Sequence, residues 1–284
     1  MTFRQALTLA TEQLAASPQL RDHAHRDAEL LLLHVLQLDR ATLLAYPSRP
    51  LIEQQLDLYQ AAIARRLNHE PVQYITGQQE FFGLPLKVTP ATLIPRPETE
   101  HLVEAVLERL PADLAVRILD IGTGTGAIAI ALAAHLPLAR VTAVDLSAAA
   151  LKVARENAAT HRLTSRIDFL LSDLLTALSA RDQTAAFDAI VSNPPYIPES
   201  DRSELHPQVR DFEPAQALFA GDEGLEIYRR LIPQARTALK AGGLLALEIG
   251  HNQRDALATL LKSWQNVTFV NDLQEIPRVA LART

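Results

Sequence analysis

The spacing of apolar positions changes along the chain, and each change marks an element. Over 1–70 they recur at helical intervals in FRQALTLATEQLA, DAELLLLHVLQL and LIEQQLDLYQAAIARRL, with breaks at Ser17-Pro18, near Asp39 and at Pro47 to Pro50. A small helical bundle is expected there. From 71 to 97 the runs shorten and are punctuated by Gly77, Gly83, Pro85, Pro90 and Pro95, which predicts a linker carrying a β-hairpin. From 98 to 284 a helix to about Leu110 opens an alternating series. β-branched or leucine-rich runs at 116–121, 140–144, 166–171, 187–192 and 243–249 predict strands, with helices near 126–136, 147–161, 224–240 and 252–262. Alternation of this kind predicts an α/β domain with a doubly wound parallel sheet. The end differs: NVTFV and RVALAR are joined by NDLQEIP, too short for a helical crossover, so these strands should be antiparallel.

Composition narrows the chemistry. The 284 residues are 48% apolar and 21% charged, enough for one large core and a smaller one. Cysteine is absent, which excludes a disulfide framework, a thiolate nucleophile and metal–thiolate sites, and fits a reducing compartment. The nine histidines show no metal-ligand spacing, and no metal is expected. The apolar stretch AIAIALAAHLPLA from Ala127 is too short to span a bilayer, and no basic-then-apolar leader is visible. A cytoplasmic protein without a membrane partner is expected. Net charge is −6, and residues 1–70 carry seven Lys and Arg against eight Asp and Glu. Neither provides the basic footprint of a DNA-binding face, so the bundle is better suited to gripping a protein.

Two constellations carry candidate chemistry. RILDIGTGTGAIAIALA places Gly122, Thr123, Gly124, Thr125 and Gly126 between the first strand of the α/β domain and its helix, where glycines permit a tight turn and close approach of a ligand. With Ala127 the stretch also satisfies G-x-G-x-x-G/A, so the loop alone does not separate a nicotinamide enzyme from an S-adenosylmethionine enzyme. Asp145 closes the second strand, where a carboxylate can accept from ribose hydroxyls; the structural alternative is a helix cap, a role Ser147 can also fill. Asp120 either faces a ligand amino group or holds the loop. Asp173 and Leu174 after the third strand suit an adenine amino group and face, or equally a cap and a core leucine.

The second constellation is Asn193-Pro194-Pro195-Tyr196 at the end of the fourth strand, FDAIVS. Two prolines forbid a helix interior or a central paired strand. The Asn193 side-chain oxygen and the Pro194 carbonyl form a stiff pair of acceptors for both hydrogens of a planar NH2 group, and Tyr196 offers a ring on which a flat group can stack. An amide nitrogen is a poor nucleophile because its lone pair is delocalised. Fixed acceptors stabilise the positive charge that grows on it as it attacks an electrophilic methyl group.

DIGTGTGAIAIALA, AVDLS and SNPPYI together resemble the motifs of class I S-adenosylmethionine-dependent methyltransferases that act on planar nitrogen. EPVQYITGQQEFFGL, TLIPRPETE, FEPAQALFAGDEGLEIYRRLI and GLLALEIG narrow the resemblance to the HemK/PrmC family of release-factor glutamine methyltransferases, from about Glu70 to the C-terminus. Pro97 to Glu100 favour this branch over the paralogue that modifies a ribosomal protein. The resemblance implies a seven-stranded sheet with its last strand antiparallel, a helical recognition domain over 1–70 and a methyltransferase domain over 98–284. It also implies S-adenosylmethionine as donor and a release-factor Gly-Gly-Gln glutamine as substrate. Carried over, Gly122 to Gly126, Asp145, Asp173, Leu174 and Asn193 line the cofactor side, and Asn193 to Tyr196 hold the glutamine. Arg96 and Glu98 either shape the crevice or anchor the linker. A DNA adenine methyltransferase shares the tetrapeptide but calls for a basic recognition region. A nicotinamide oxidoreductase leaves Asn193 to Tyr196 without a purpose, and a non-catalytic binding module needs neither constellation.

Overall fold

The computed structural model describes residues 1–179 and 185–284. The helices in chain order are α1 (Phe3–Ala15), α2 (Ala24–Leu36), α3 (Arg40–Ala45), α4 (Glu53–Leu67), α5 (Val72–Thr76), α6 (Glu100–Leu107), α7 (Ala127–His135), α8 (Ala148–Thr160), α9 (Thr176–Ser179), α10 (Pro207–Arg210), α11 (Glu226–Ala238) and α12 (Arg254–Leu260). The strands are β1 (Gln78–Phe81), β2 (Leu84–Lys87), β3 (Arg117–Ile121), β4 (Arg140–Asp145), β5 (Ile167–Leu171), β6 (Phe187–Ser192), β7 (Leu239–Glu248), β8 (Gln265–Asn271) and β9 (Pro277–Arg283). They gather into two compact units, Met1–Gln78 with Glu204–Phe212, and Gln79–Ser203 with Glu213–Thr284.

In the first unit the apolar positions turn inward at helical spacing. α1 buries Phe3, Ala6, Ala10 and Leu14, and it starts at a capping box in which Thr2 and Gln5 satisfy each other's backbone N–H groups. α2 and α4 are tied by two polar contacts inside the core. The Arg66 Nε donates to Asp27 at 2.7 Å, and the Tyr59 hydroxyl donates to the Ala28 carbonyl at 3.0 Å. Both members of the ion pair are buried, so removing one would strand the other. Glu204–Phe212 belongs to this unit: its His206 Nε2 donates to the Gln19 carbonyl at 3.0 Å.

In the second unit, among the described residues, seven strands form one sheet in the order β5-β4-β3-β6-β7-β9-β8. β3 pairs in parallel with β4 and β6, and β6 in parallel with β7. β9 runs antiparallel to both neighbours, as the short β8–β9 link requires. That link is organised by Asp272, whose carboxylate accepts from the backbone of Gln274 and Ile276 and pairs with Arg278. The chain order reverses between β3 and β6, so the loops that leave their carboxyl ends diverge and open a crevice.

The expected linker holds a hairpin, β1–β2, whose turn residues Phe82 and Gly83 both have positive φ. It is docked by Asn157 of α8, which accepts from the Lys87 N–H at 2.7 Å and donates to the Lys87 carbonyl at 3.0 Å. The sequence expectation also departs from the structure in detail. α3 and α5 are too short to give a periodic signal, and β7 begins at Leu239, four residues before the expected start, through a register shift between Leu239 and Leu244.

Candidate active site

The crevice lies at the carboxyl ends of β3, β4, β5 and β6, and the residues expected there from sequence divide into two groups. Gly122, Gly124, Asp145, Asp173, Leu174, Asn193, Pro194 and Pro195 line it. Thr123, Thr125, Gly126 and Tyr196 are not among its lining residues; they sit behind it.

The glycine loop is built around backbone conformations that side chains disfavour. Gly122 has φ +73°, and a Cβ there would stand 3.9 Å from the Asn193 carbonyl oxygen, so the loops after β3 and β6 nearly touch. Gly126 has φ +84°, and a Cβ would meet Ile130 at 3.1 Å and Ala154 at 3.2 Å, which keeps α7 close to α8. Thr123 turns inward and donates its hydroxyl to Asp120 at 2.6 Å, while the Thr125 carbonyl accepts from buried Asn157 at 2.9 Å. Of the two readings open for Asp120, the structure shows the second: the residue is fully buried and holds the loop. Burial pushes its carboxyl up to about 7, and the charge of Asp145 adds to the shift against the Thr123 hydrogen bond.

Asp145 is not a helix cap. Ser147 caps α8 by accepting from the Ala150 N–H at 3.1 Å. The Asp145 carboxylate accepts from the N–H groups of Gly124 and Ser147, both at 2.8 Å, so it joins the β3 and β4 loops while lining the crevice. Burial raises its pKa, and the backbone hydrogen bonds oppose that rise. Asp173 pairs with Arg230 at 2.6 Å. Leu174 belongs to a core cluster and also lines the crevice.

Asn193 donates from Nδ2 to the Thr99 hydroxyl oxygen at 3.1 Å, which leaves Oδ1 as its accepting end. Ser192 beneath it is fully buried and donates to the Ile121 carbonyl at 2.7 Å, locking β6 to β3 at the point of divergence. Tyr196 is turned away from the crevice: its hydroxyl donates to Glu248 Oε1 at 3.3 Å, and its carbonyl accepts from Gln253 at 3.0 Å. Gly224 and Gly250 clear room for it, since a Cβ on either would fall 2.2 Å from the Tyr196 carbonyl oxygen or 2.9 Å from its ring. Burial raises the Tyr196 hydroxyl pKa.

Several neighbours carry no local sequence signal. Glu248, 2% exposed, has its carboxyl pushed up to about 7 by burial. Glu213 is buried, accepts from the Ile94 N–H at 3.1 Å and pairs with Arg96, so Arg96 anchors the segment before α6. That segment and the chain after Glu213 both reach the crevice, through Thr92 and Leu93 and through Pro214 and Gln216. Only TLIPRPETE and FEPAQALF, quoted above for resemblance, point toward these stretches.

Residues 5–77 match the PrmC N-terminal domain and residues 99–208 the methyltransferase small domain. The chain is 47% identical to the release factor glutamine methyltransferase of Koribacter versatilis, over 100% of this chain and 99% of the relative. It belongs to the release factor glutamine methyltransferase family. The Escherichia coli enzyme of that name is 43% identical, again over 100% of this chain and 99% of the relative. Among solved structures, the hMettl16 catalytic domain in complex with an RNA hairpin of the MAT2A 3'UTR aligns over 91% of both chains with a TM-score of 0.56 at 19% identity, a likeness of fold alone. The expected α/β class I methyltransferase fold is therefore present, and this class in general uses S-adenosylmethionine. Among the described residues no helix is long and apolar enough to cross a membrane.

Proposed function

We propose that the crevice binds S-adenosylmethionine and methylates N5 of the glutamine in the Gly-Gly-Gln loop of peptide chain release factors. The observation that carries this reading is the orientation of Asn193: Thr99 takes its amide hydrogen and leaves Oδ1 as the accepting end of a residue that lines the crevice with Gly122 and Gly124. The crevice suits the cofactor, because a Cβ on Gly124, at φ +54°, would meet no protein atom within 4 Å and would project into open space. In this reading Asp145 accepts from the ribose hydroxyls, and Asp173 and Leu174 border the adenine end. When bound, S-adenosylmethionine supplies an electrophilic sulfonium methyl group.

The protein's own residues do the rest. Asn193 Oδ1 and the Pro194 carbonyl accept the two amide hydrogens, orient the nitrogen and stabilise its developing positive charge. Because these acceptors are held in place before reaction, they need no reorganisation as charge grows. Tyr196 serves from behind, holding the loop by its hydroxyl and carbonyl. The helical unit recognises the release factor as a folded protein, in keeping with its balanced charge, and such a substrate places the enzyme in the cytoplasm.

Single-turnover transfer of labelled methyl to a purified release factor tests this reading. Asn193→Ala should slow the transfer step by about 10²-fold, the scale of one lost preorganised group, while cofactor affinity falls much less. Asn193→Asp keeps an acceptor and should retain partial activity. A parental transfer rate in Asn193→Ala would reduce the tetrapeptide to a structural turn.

A further inference from the structure

Part of the crevice lining does not come from the carboxyl ends of the sheet. The ends of β3, β4 and β6 are fixed by the ladder between them. Ala91, Thr92 and Leu93 on one segment, and Pro214, Gln216 and Ala217 on another, add a side that is apolar apart from Thr92 and Gln216. The first segment is ill suited to a strand ladder. Pro95 and Pro97 have no N–H to give, and Ile94 and Arg96, each before a proline, are pushed to extended backbone; Arg96 has φ −98° and ψ 144°. A side chain does the holding instead. Glu213 Oε2 accepts from the Ile94 N–H at 3.1 Å, and its Oε1 pairs with Arg96. The Glu213 side chain is 1% exposed, so water does not compete for these bonds.

The second segment has another anchor at its far end. The Ile197 N–H donates to the Leu218 carbonyl at 3.0 Å, and the Ala220 N–H to the Ile197 carbonyl at 2.9 Å, which joins it to the loop that follows Tyr196. Residues 213–220 are therefore a strap with a backbone anchor at one end and a single carboxylate at the other, and its crevice residues lie between the two. We infer that Glu213 is a positioning residue that pins the strap and the 91–96 segment into one wall, and that this wall slows the release of S-adenosylmethionine. The inference rests on the crevice being the cofactor site. An apolar wall holds a ligand by covering surface that would otherwise face water, so it works only while it stays in place. Without the carboxylate the 94–96 stretch loses both bonds to the strap. The wall then spends part of its time open, and a site competent for only part of the time binds more weakly in proportion. The acceptor for the substrate is left alone: Thr99, the partner of Asn193, stands at the start of α6, which buried Leu102, Val103 and Val106 fix in the core.

The test measures S-adenosylmethionine binding by calorimetry, and its release by chasing labelled cofactor with unlabelled, on the full-length protein without release factor. Glu213→Ala should weaken affinity by about tenfold, mostly through faster release. Arg96→Met keeps the Ile94 bond and should weaken affinity by about threefold. Arg96 meets Glu213 through one nitrogen, so Arg96→Lys should bind within about twofold of the parent. Hydrogen exchange on the cofactor-free Glu213→Ala protein should quicken over 91–96 and 213–220 and stay parental in β3, β4 and β6, a pattern that general loss of stability does not give. Single-turnover transfer at saturating cofactor should remain within about threefold of the parent. Parental affinity and release in Glu213→Ala, or faster exchange throughout the sheet, overturns the role of the wall. If the parent and Glu213→Ala bind S-adenosylmethionine equally well, the wall falls and the cofactor reading of the crevice stands; if the parent does not bind it, the cofactor reading falls too. Should Glu213→Ala fail to fold, the Arg96 pair decides: weak binding in Met with near-parental binding in Lys supports the wall, and equal affinities overturn it.

Discussion

Two buried carboxyl groups stand under the crevice, Asp120 near the end of β3 and Glu248 at the end of β7, and they hold different loops. Both are pushed up to about 7 by burial, and each has one oxygen without a partner. Asp120 takes the hydroxyl of Thr123, three residues away, and so stiffens the glycine loop on which the cofactor would rest. Glu248 takes the hydroxyl of Tyr196, 52 residues away, and so anchors the loop that would hold the glutamine. Their charged surroundings differ as well. Asp145 drives the Asp120 pKa further up, whereas Glu248 lies between Glu98, which raises it, and Arg278, which lowers it. The cofactor loop is thus secured by a local contact, and the substrate loop by distant strands and segments brought together by folding.

If this division is real, damage on one side should read out as binding and on the other as rate. Asp145→Ala is the largest expected effect on the cofactor side. It removes a charged acceptor from the crevice and the partner of the Gly124 and Ser147 N–H groups. S-adenosylmethionine affinity should fall by roughly 10- to 100-fold, the range for a hydrogen bond to a charged group, with little change in transfer rate once cofactor is saturating. Calorimetry beside single-turnover kinetics separates the two. An unchanged affinity would remove Asp145 from the cofactor site, and a lost rate at saturation would erase the distinction between the sides.

How much of this was legible in the sequence follows the same line. α1 and β6 fall at the expected residues, because helical apolar spacing and a β-branched run between turn signals are local features. Gly122, Gly124, Asp145 and Asn193 line the crevice, and the sequence pointed to them for the same reason: their spacing relative to strand ends is itself the signal. α5, five residues between Pro71 and Gly77, was hidden inside an expected linker because so short a helix has no periodicity to detect. Asn157 reads as one more polar residue in α8, yet it is buried by a hairpin 70 residues earlier. Tyr196 was expected to offer its ring to the substrate, and the structure turns its hydroxyl to Glu248. Nothing near Tyr196 in sequence announces an acid beyond α11, so that contact could not be read.

A smaller effect tests the acid on the cofactor side through pH. The folded-state pKa of Asp120 is raised above its unfolded value of 3.8, so the folded protein holds a proton that the unfolded chain releases. Stability from this group is therefore present at low pH and declines as pH rises from about 4 through about 7. Asp120→Asn keeps an acceptor for Thr123 and removes the ionisation. Measured by thermal denaturation, the variant should gain on the parent by a few degrees, roughly, between pH 5 and pH 8. A difference in melting temperature that does not change with pH would mean that Asp120 titrates alike in the folded and unfolded chains.

The smallest expected effect lies on the substrate side and asks what Tyr196 is for. If its ring stacked on the substrate, Tyr196→Phe would be silent, since the ring is retained. In the structure the hydroxyl donates to Glu248, and removing it leaves that carboxyl with both oxygens short of a donor from this loop. Loss of one such bond is worth about 0.5–1.5 kcal/mol, so single-turnover transfer in Tyr196→Phe should fall by roughly 2- to 10-fold with cofactor affinity unchanged. Tyr196→Ala should be slower still, because it also empties the space between Gly224 and Gly250 that the residue occupies. A parental rate in Tyr196→Phe, with Tyr196→Ala impaired, would return the residue to a ring-only role and leave Glu248 with a structural duty at the end of β7.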